Sequence, residues 1–405
     1  MKNTYLILLL SILFTLSIVA QQPTLPQSME WLPDRPDVRG GSLKVPENHD
    51  TPEGKHIEIA YVVLKARDTV APEYPMIFFF GGPGGDFLDI NLVNFLLEQP
   101  MRERRDVILF DQRGIGHSSP LPNMSFESFN ILAQDANEQE ELTLTRGMIS
   151  RFKEKCKEAD IQPQYYNSYQ NARDVGMLFK HLGYAKYNLL GGSYGTRLAR
   201  IVQDLFPEYV HSAVLDSPAP LSGDFLLNRL DSYSLALERI FAYCQDNPEC
   251  QSRYPNLKSD YFKAITKLQE SPLTVSMNDS LSVVINAQDG IYFLRRLLYQ
   301  DNSREKAPEL IHAYLEGGGQ VIREVLNFEY QLTGDLNLSM LLSVEKFENF
   351  NPENTAEVLE AQYENFPLIP VRLGFFDAFY RAGMDWHEAN LPIEERQFKI
   401  SDIPT

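Results

Sequence analysis

The chain reads as an α/β protein: a mostly parallel central sheet with helices on both faces, carrying an inserted, mainly helical cap. Three observations predict this. Continuous apolar runs, "MIFFF" at 76–80 and "DVILF" at 106–110, each end in a glycine-rich turn. Strands buried on both faces of a parallel sheet have that look. Helical periodicity alternates with such runs from residue 40 to residue 216, the order expected of a sheet wound with crossover helices. From about 220 to 395 the strand signal fades into segments such as "YSLALERIFAYC" and "GIYFLRRLLY". That stretch is too long for a simple connection and reads as an inserted cap.

The elements follow in order. Residues 56–66 place Ile57, Ile59, Tyr61 and Val63 in alternation, as a half-buried strand does. "MIFFF" and "DVILF" are the next two strands. Ala172, Val175, Phe179 and Leu182 recur at helical spacing over 171–183, and "YNLL" at 187–190 is a further strand. Leu198, Ile201, Val202 and Leu205 then form an apolar helical stripe, with Pro207 just past its end. "SAVLD" at 212–216 is one more strand, and "FKISDIPT" at the end looks like the run-in to another. The expected organisation is a leader over 1–20, the N-terminal part of the core over 21–219, the helical cap over 220–395 and the start of the C-terminal part of the core over 396–405.

Composition narrows the function. With 43% hydrophobic residues and Gly and Pro dispersed, the chain is globular and long enough for a large core plus an insertion. Its net charge of −18 repels phosphate and argues against a nucleic-acid or anionic-membrane partner. At the N-terminus one Lys precedes an apolar run from Tyr5 to Ala20, and polar residues with Pro follow. This is the layout of a secretory signal, with cleavage after Ala20. A membrane anchor is the alternative, although the run is slightly short for a span. The expected location is secreted or periplasmic, with no membrane contact after cleavage. In an exported protein "CQDNPEC" reads as a local Cys244–Cys250 disulfide, two free thiols being the alternative; Cys156 is left without an evident partner.

The chemistry centres on "LLGGSYGTRLA". Gly191-Gly192-Ser193-Tyr194-Gly195 contains Gly-x-Ser-x-Gly between a strand and a helix. A nucleophilic serine needs this shape. It stands on a sharp turn between small neighbours, with its hydroxyl at a helix N-terminus, where dipole and free amides favour developing negative charge. "FFFGGPGGD" places a second glycine-rich loop directly after a strand. Acyl transfer needs two backbone N–H groups aimed at the oxyanion. Tyr194, following Ser193, is the candidate for one, and Gly82 for the other. In "ILFDQRGIGHSS", Asp111 or His117 could belong to a triad. The structural alternative is internal pairing of Asp or Arg113 that braces the neighbouring glycine loop.

"GGPGG", "DQRGIGHS" and "LLGGSYGTRLA", in this order and spacing, resemble the α/β-hydrolase superfamily. More closely, they resemble serine peptidase family S33, the prolyl and tripeptidyl aminopeptidases. "NARDVGMLFKHLG", "VLDSPAP" and "YCQDNPEC" are similar to that family's pattern too. The likeness runs from about residue 30 to Thr405. It implies the α/β-hydrolase fold, peptide substrates with a free N-terminus, release of residues or short peptides through an acyl-enzyme on Ser193, and no cofactor or metal. An esterase or lipase-like hydrolase on the same fold is the alternative, as is a non-catalytic binding protein that keeps the pocket.

A serine nucleophile also needs a histidine base and an orienting carboxylate. The resemblance places both beyond Thr405, with the last strands of the sheet. The chain is therefore expected to be a truncated reading of a longer gene, inactive and marginally folded as it stands, a complete but catalytically dead protein being the alternative. Of the histidines after Ser193, His211 falls at the wrong sheet end and His312 in the cap. His387 with Asp216 is the least unfavourable substitute, though a histidine beside Trp386 is more often a packing residue. Glu238, Glu249 and Asp289 are candidates for the substrate's amino group by location only.

Overall fold

Six strands build the sheet: β1 Val38–Pro46, β2 His56–Leu64, β3 Met76–Phe79, β4 Val107–Phe110, β5 Tyr187–Gly192 and β6 Val210–Asp216. They lie in the order β1-β2-β4-β3-β5-β6. β1 and β2 pair antiparallel, β2 pairs antiparallel with β4, and the other neighbours are parallel. The computed structural model describes residues 29–70, 73–278, 281–298 and 305–405. The proposed leader lies outside the described residues.

The burial of each strand follows its sequence. All four residues of β4 are buried, as its unbroken apolar run requires. β2 alternates through Ile57 and Ile59, then is buried at every position from Ala60 to Leu64, where it runs between β1 and β4. Two helices frame the candidate site. α4 (Ser168–Leu182) begins three residues before its apolar periodicity, because the Asn167 side chain accepts from Tyr169 and Gln170 N–H; Gly183 ends it at φ 74°. α5 (Tyr194–Leu205) buries nine of its twelve residues beside the sheet. The final segment runs along β6: the Ala213 N–H donates to the Pro404 carbonyl at 2.9 Å, and the Lys399 N–H to Asp204 at 2.9 Å.

The segment after β6 is mainly helical. Its elements are α6 (Leu227–Asp246), α7 (Pro248–Arg253), α8 (Leu257–Glu270), α9 (Ala287–Leu297), α10 (Ala307–Glu316), α11 (Gln320–Asp335), α12 (Leu338–Glu348), α13 (Ala356–Tyr363) and α14 (Gly374–Gly383). It also holds a hairpin, β7 (Leu273–Asn278) with β8 (Leu281–Ile285). The alternation of Leu273, Val275 and Met277 with polar residues encodes β7. Of the helices in the first half of the chain, α1 (Ile90–Leu97) packs on the sheet beside Val62 and Leu109, whereas α2 (Ser125–Leu132) and α3 (Glu138–Glu158) pack here. Met148 and Phe152 share one apolar cluster with Leu237, Tyr261 and Trp386. The sheet has its own cluster around Ile77, Ile108, Leu189 and Leu198. Cys244 and Cys250 are disulfide-bonded across the α6–α7 junction, and Cys156 is a buried free thiol. No helix among the described residues is long and apolar enough to cross a membrane.

Candidate active site

Ser193 occupies the turn between β5 and α5 with φ 52° and ψ −124°, a conformation that side chains other than glycine rarely adopt. Its backbone is held from both sides. The Ser193 N–H donates to the Asp216 carbonyl at 2.9 Å, and its carbonyl accepts from Thr196 N–H at 2.9 Å and Thr196 Oγ1 at 2.6 Å. The side chain is exposed. Tyr194 opens the helix, so its N–H is among those without an intrahelical acceptor.

The glycines around Ser193 are required by space. A Cβ on Gly195 would fall 1.9 Å from the Phe79 carbonyl oxygen, and one on Gly191 would fall 2.7 Å from that of Gly195. Only bare backbone lets α5 start this close to β3 and β5. A Cβ on Gly81 would stand 3.1 Å from Ser193 Cβ and 3.5 Å from its Oγ. The Gly81–Gly85 loop therefore abuts the serine through Gly81, with Gly82 next in line at φ 120° and exposed. Bare glycine backbone and an exposed hydroxyl thus meet at the carboxyl ends of β3 and β5.

Polar contacts under the turn are dense. The Tyr194 hydroxyl and Ser168 Oγ are hydrogen-bonded at 2.8 Å, and burial holds the phenol well above its ordinary pKa. Arg197, one helical turn on, reaches Glu348 of α12 at 3.0 Å and Glu345 at 3.7 Å. Glu348 also accepts the Ser168 N–H at 2.7 Å. The start of α4, the start of α5 and the end of α12 are thereby joined.

All seven histidines lie in the described residues, and each is engaged away from Ser193. His49 contacts Asp174 at 2.7 Å, His56 the Gly54 carbonyl at 2.8 Å and His181 the Tyr61 hydroxyl at 2.8 Å. His211, the second residue of β6, packs on Tyr74 with ring centres 4.8 Å apart, at the amino end of the parallel strands. His312 lies 3.4 Å from Asp260. His387 is buried with Nε2 3.2 Å from the Ser343 carbonyl, and desolvation lowers its pKa to about 4. It lines a depression with Cys156 and Trp386, while the Asp216 carboxylate accepts from Ser217 Oγ at 3.0 Å. His387 is a packing residue.

"DQRGIGHS" braces a loop. Asp111 is buried and accepts the His117 N–H at 2.8 Å; desolvation, reinforced by Asp86, raises its pKa well above the carboxylate range. The His117 ring accepts from Trp31 Nε1 at 3.2 Å. The partner of Arg113 is Asp174 of α4, not Asp111: two hydrogen bonds of 2.7 Å join them, and Arg113 also donates to the carbonyls of Pro46, Glu47 and Tyr165. Neither Asp111 nor His117 forms a triad with Ser193.

A cavity of about 240 Å³ adjoins the glycine loop. Gly82 and Gly85 form its wall on the sheet side; α2, α6, α9, α11, α12 and α14 supply most of the rest, with Phe87, Phe225 and Leu336 from connections. Glu238, Glu249 and Asp289 do not line it; Asp289 is buried in the capping box of α9. The carboxylates that do line it are Glu329 and Asp335, at the end of α11. No motif marks them in the sequence, because they reach the cavity only through the packing of the helical layer.

Residues 74–257 match the alpha/beta hydrolase fold family. The chain is 24% identical over 307 residues to the tripeptidyl aminopeptidase of Streptomyces lividans, across 72% of this chain and 56% of that protein. It is 26% identical over 249 residues to the serine protease Hip1 of Mycobacterium tuberculosis, across 56% of this chain and 47% of that protein. The chain spans about half the length of these curated relatives.

Proposed function

We propose that this chain, which has the alpha/beta hydrolase fold, forms the nucleophile-bearing part of an exported serine peptidase that acts on free peptide N-termini. The observation that carries the reading is the Ser193 turn: an exposed hydroxyl on strained backbone, at a helix N-terminus, facing a bare glycine loop. In this reading Ser193 Oγ attacks the acyl carbonyl. The bond to the amine leaving group breaks, and an acyl-enzyme forms that water then hydrolyses. The N–H groups of Tyr194 and Gly82 receive the oxyanion. Strain at Ser193 keeps the hydroxyl pointed out of the sheet rather than into a local hydrogen bond. The likeness to a tripeptidyl aminopeptidase supports peptides as substrates, and the N-terminal apolar run supports export to the periplasm or medium. The division into core and cap at about residue 220 belongs to the same reading.

A second reading has its own observation. None of the seven histidines hydrogen-bonds Ser193, so these residues could hold a peptide without cleaving it. Covalent labelling of protein from its native source separates the two. The peptidase reading expects a fluorophosphonate adduct mapped to Ser193, lost in Ser193→Ala. It also expects hydrolysis of aminoacyl anilides that N-acetylation of the substrate abolishes. Absence of an adduct, with peptide binding retained, would replace the peptidase by the binding protein.

A further inference from the structure

We infer that the cavity beside the Gly81–Gly85 loop is the subsite for the side chain on the acyl side of the scissile bond, and that it selects bulky apolar groups, aromatic ones foremost. The inference rests on the serine-peptidase reading for the cavity's place in the reaction. Its own support is geometric and chemical. The cavity starts at Gly82, one residue from Gly81, whose Cβ position is 3.1 Å from Ser193 Cβ. A group carried on the carbon next to a carbonyl held against this loop stands at the mouth of the cavity.

Six phenylalanines line the space: Phe87, Phe129, Phe225, Phe375, Phe376 and Phe379. They come from the glycine loop's exit, from α2, from the segment before α6 and from α14, so their convergence is a product of the tertiary fold. About 240 Å³ is small beside the ~300–1,000 Å³ of sites that swallow a whole ligand, and suits one large side chain. An entering ring gains from leaving water and from tilted contacts with the lining rings.

Three of the charged groups on the wall, Glu329, Arg296 and Arg229, are already committed. Glu329 accepts from the Tyr292 hydroxyl at 2.5 Å and from Arg296 Nε at 2.5 Å. The Arg229 guanidinium lies 3.6 Å above the Phe225 ring and donates to the Phe225 carbonyl at 2.6 Å. A charged substrate side chain would have to break these contacts or enter unpaired, which costs more than burying an apolar one. The exposed Asp335 stands at the end of α11.

The test is equilibrium binding of L-phenylalaninamide, L-leucinamide and glycinamide to the purified protein, by calorimetry. Phenylalaninamide should bind about tenfold or more tighter than glycinamide, with leucinamide between them. Leu132→Trp and Leu332→Trp, which fill the cavity from a buried and a half-buried position, should each erase that preference while the thermal midpoint shows a folded protein. Ser193→Ala should keep it. Equal binding of the three amides, no binding of any, or a preference that survives in a folded tryptophan variant would overturn the subsite. If both variants unfold, the three amides on the unsubstituted protein decide. The serine reading fails differently: no fluorophosphonate adduct on Ser193, with the phenylalaninamide preference intact.

Discussion

At Ser193 a single residue holds a conformation its side chain disfavours, and its neighbours make that tolerable. Asp216 and Thr196 fix the peptide units on either side, and Gly81, Gly191 and Gly195 clear the space. Strain of this kind is worth about 1–3 kcal/mol and persists only where the surroundings over-determine it. Ser193→Gly should therefore stabilise the fold by about 1 kcal/mol in urea unfolding, while removing any covalent labelling. A destabilised glycine variant would mean that the turn is unstrained. The serine and its glycines were legible in the sequence, because a strand, a turn and a helix adjacent in the chain produce the geometry. The packing role of His387 was the favoured reading of its place beside Trp386, but its partner was not legible. Its burial against Ser343 depends on how α12 meets the segment after α14, some forty residues away.

Elements are joined by buried polar contacts whose protonation matters. Glu141 on α3 is buried and accepts from Gln288 Nε2 of α9 at 2.5 Å; desolvation, with Asp377 nearby, raises its pKa to about 8. A carboxyl whose pKa is higher folded than unfolded favours the folded state while it keeps its proton. That stability is present below the ordinary carboxylate range and is lost as pH rises towards about 8. Unfolding free energy should thus fall between roughly pH 4.5 and 8, and Glu141→Gln should flatten the fall. An unchanged pH slope in the variant would show that Glu141 ionises freely in the native protein. The α3–α9 contact lay beyond the sequence pattern, since nothing in the periodicity of a helix names its partner. The β7–β8 hairpin falls within the stretch read as helices and loops, although the alternation of "LTVSMN" encodes its first strand locally.

Across the whole molecule, sheet and helical layer have separate apolar clusters and meet at Arg197. The guanidinium bridges Glu348 and Glu345, all three buried. Removing one member of such a group leaves uncompensated buried charge, at a cost of about 3–5 kcal/mol. Arg197→Ala should lower the unfolding free energy by that order. Arg197→Met combined with Glu348→Leu and Glu345→Gln should restore much of the loss. Equal stability of Arg197→Ala and the parent in urea would mean that the cap is held by its apolar contacts alone.

The sequence by itself determined the α/β sheet, the Ser193 turn, the glycine loop after β3 and the Cys244–Cys250 disulfide. Each is written in residues close together in the chain, where sterics and periodicity act directly. Only the tertiary structure decided that α2 and α3 join the helical layer, that Arg113 answers Asp174, and that Glu329, Asp335 and six phenylalanines surround one cavity. Those contacts join segments tens to hundreds of residues apart. Their partners are chosen by which apolar faces can be buried together, a property of the packed chain and not of any short stretch of it.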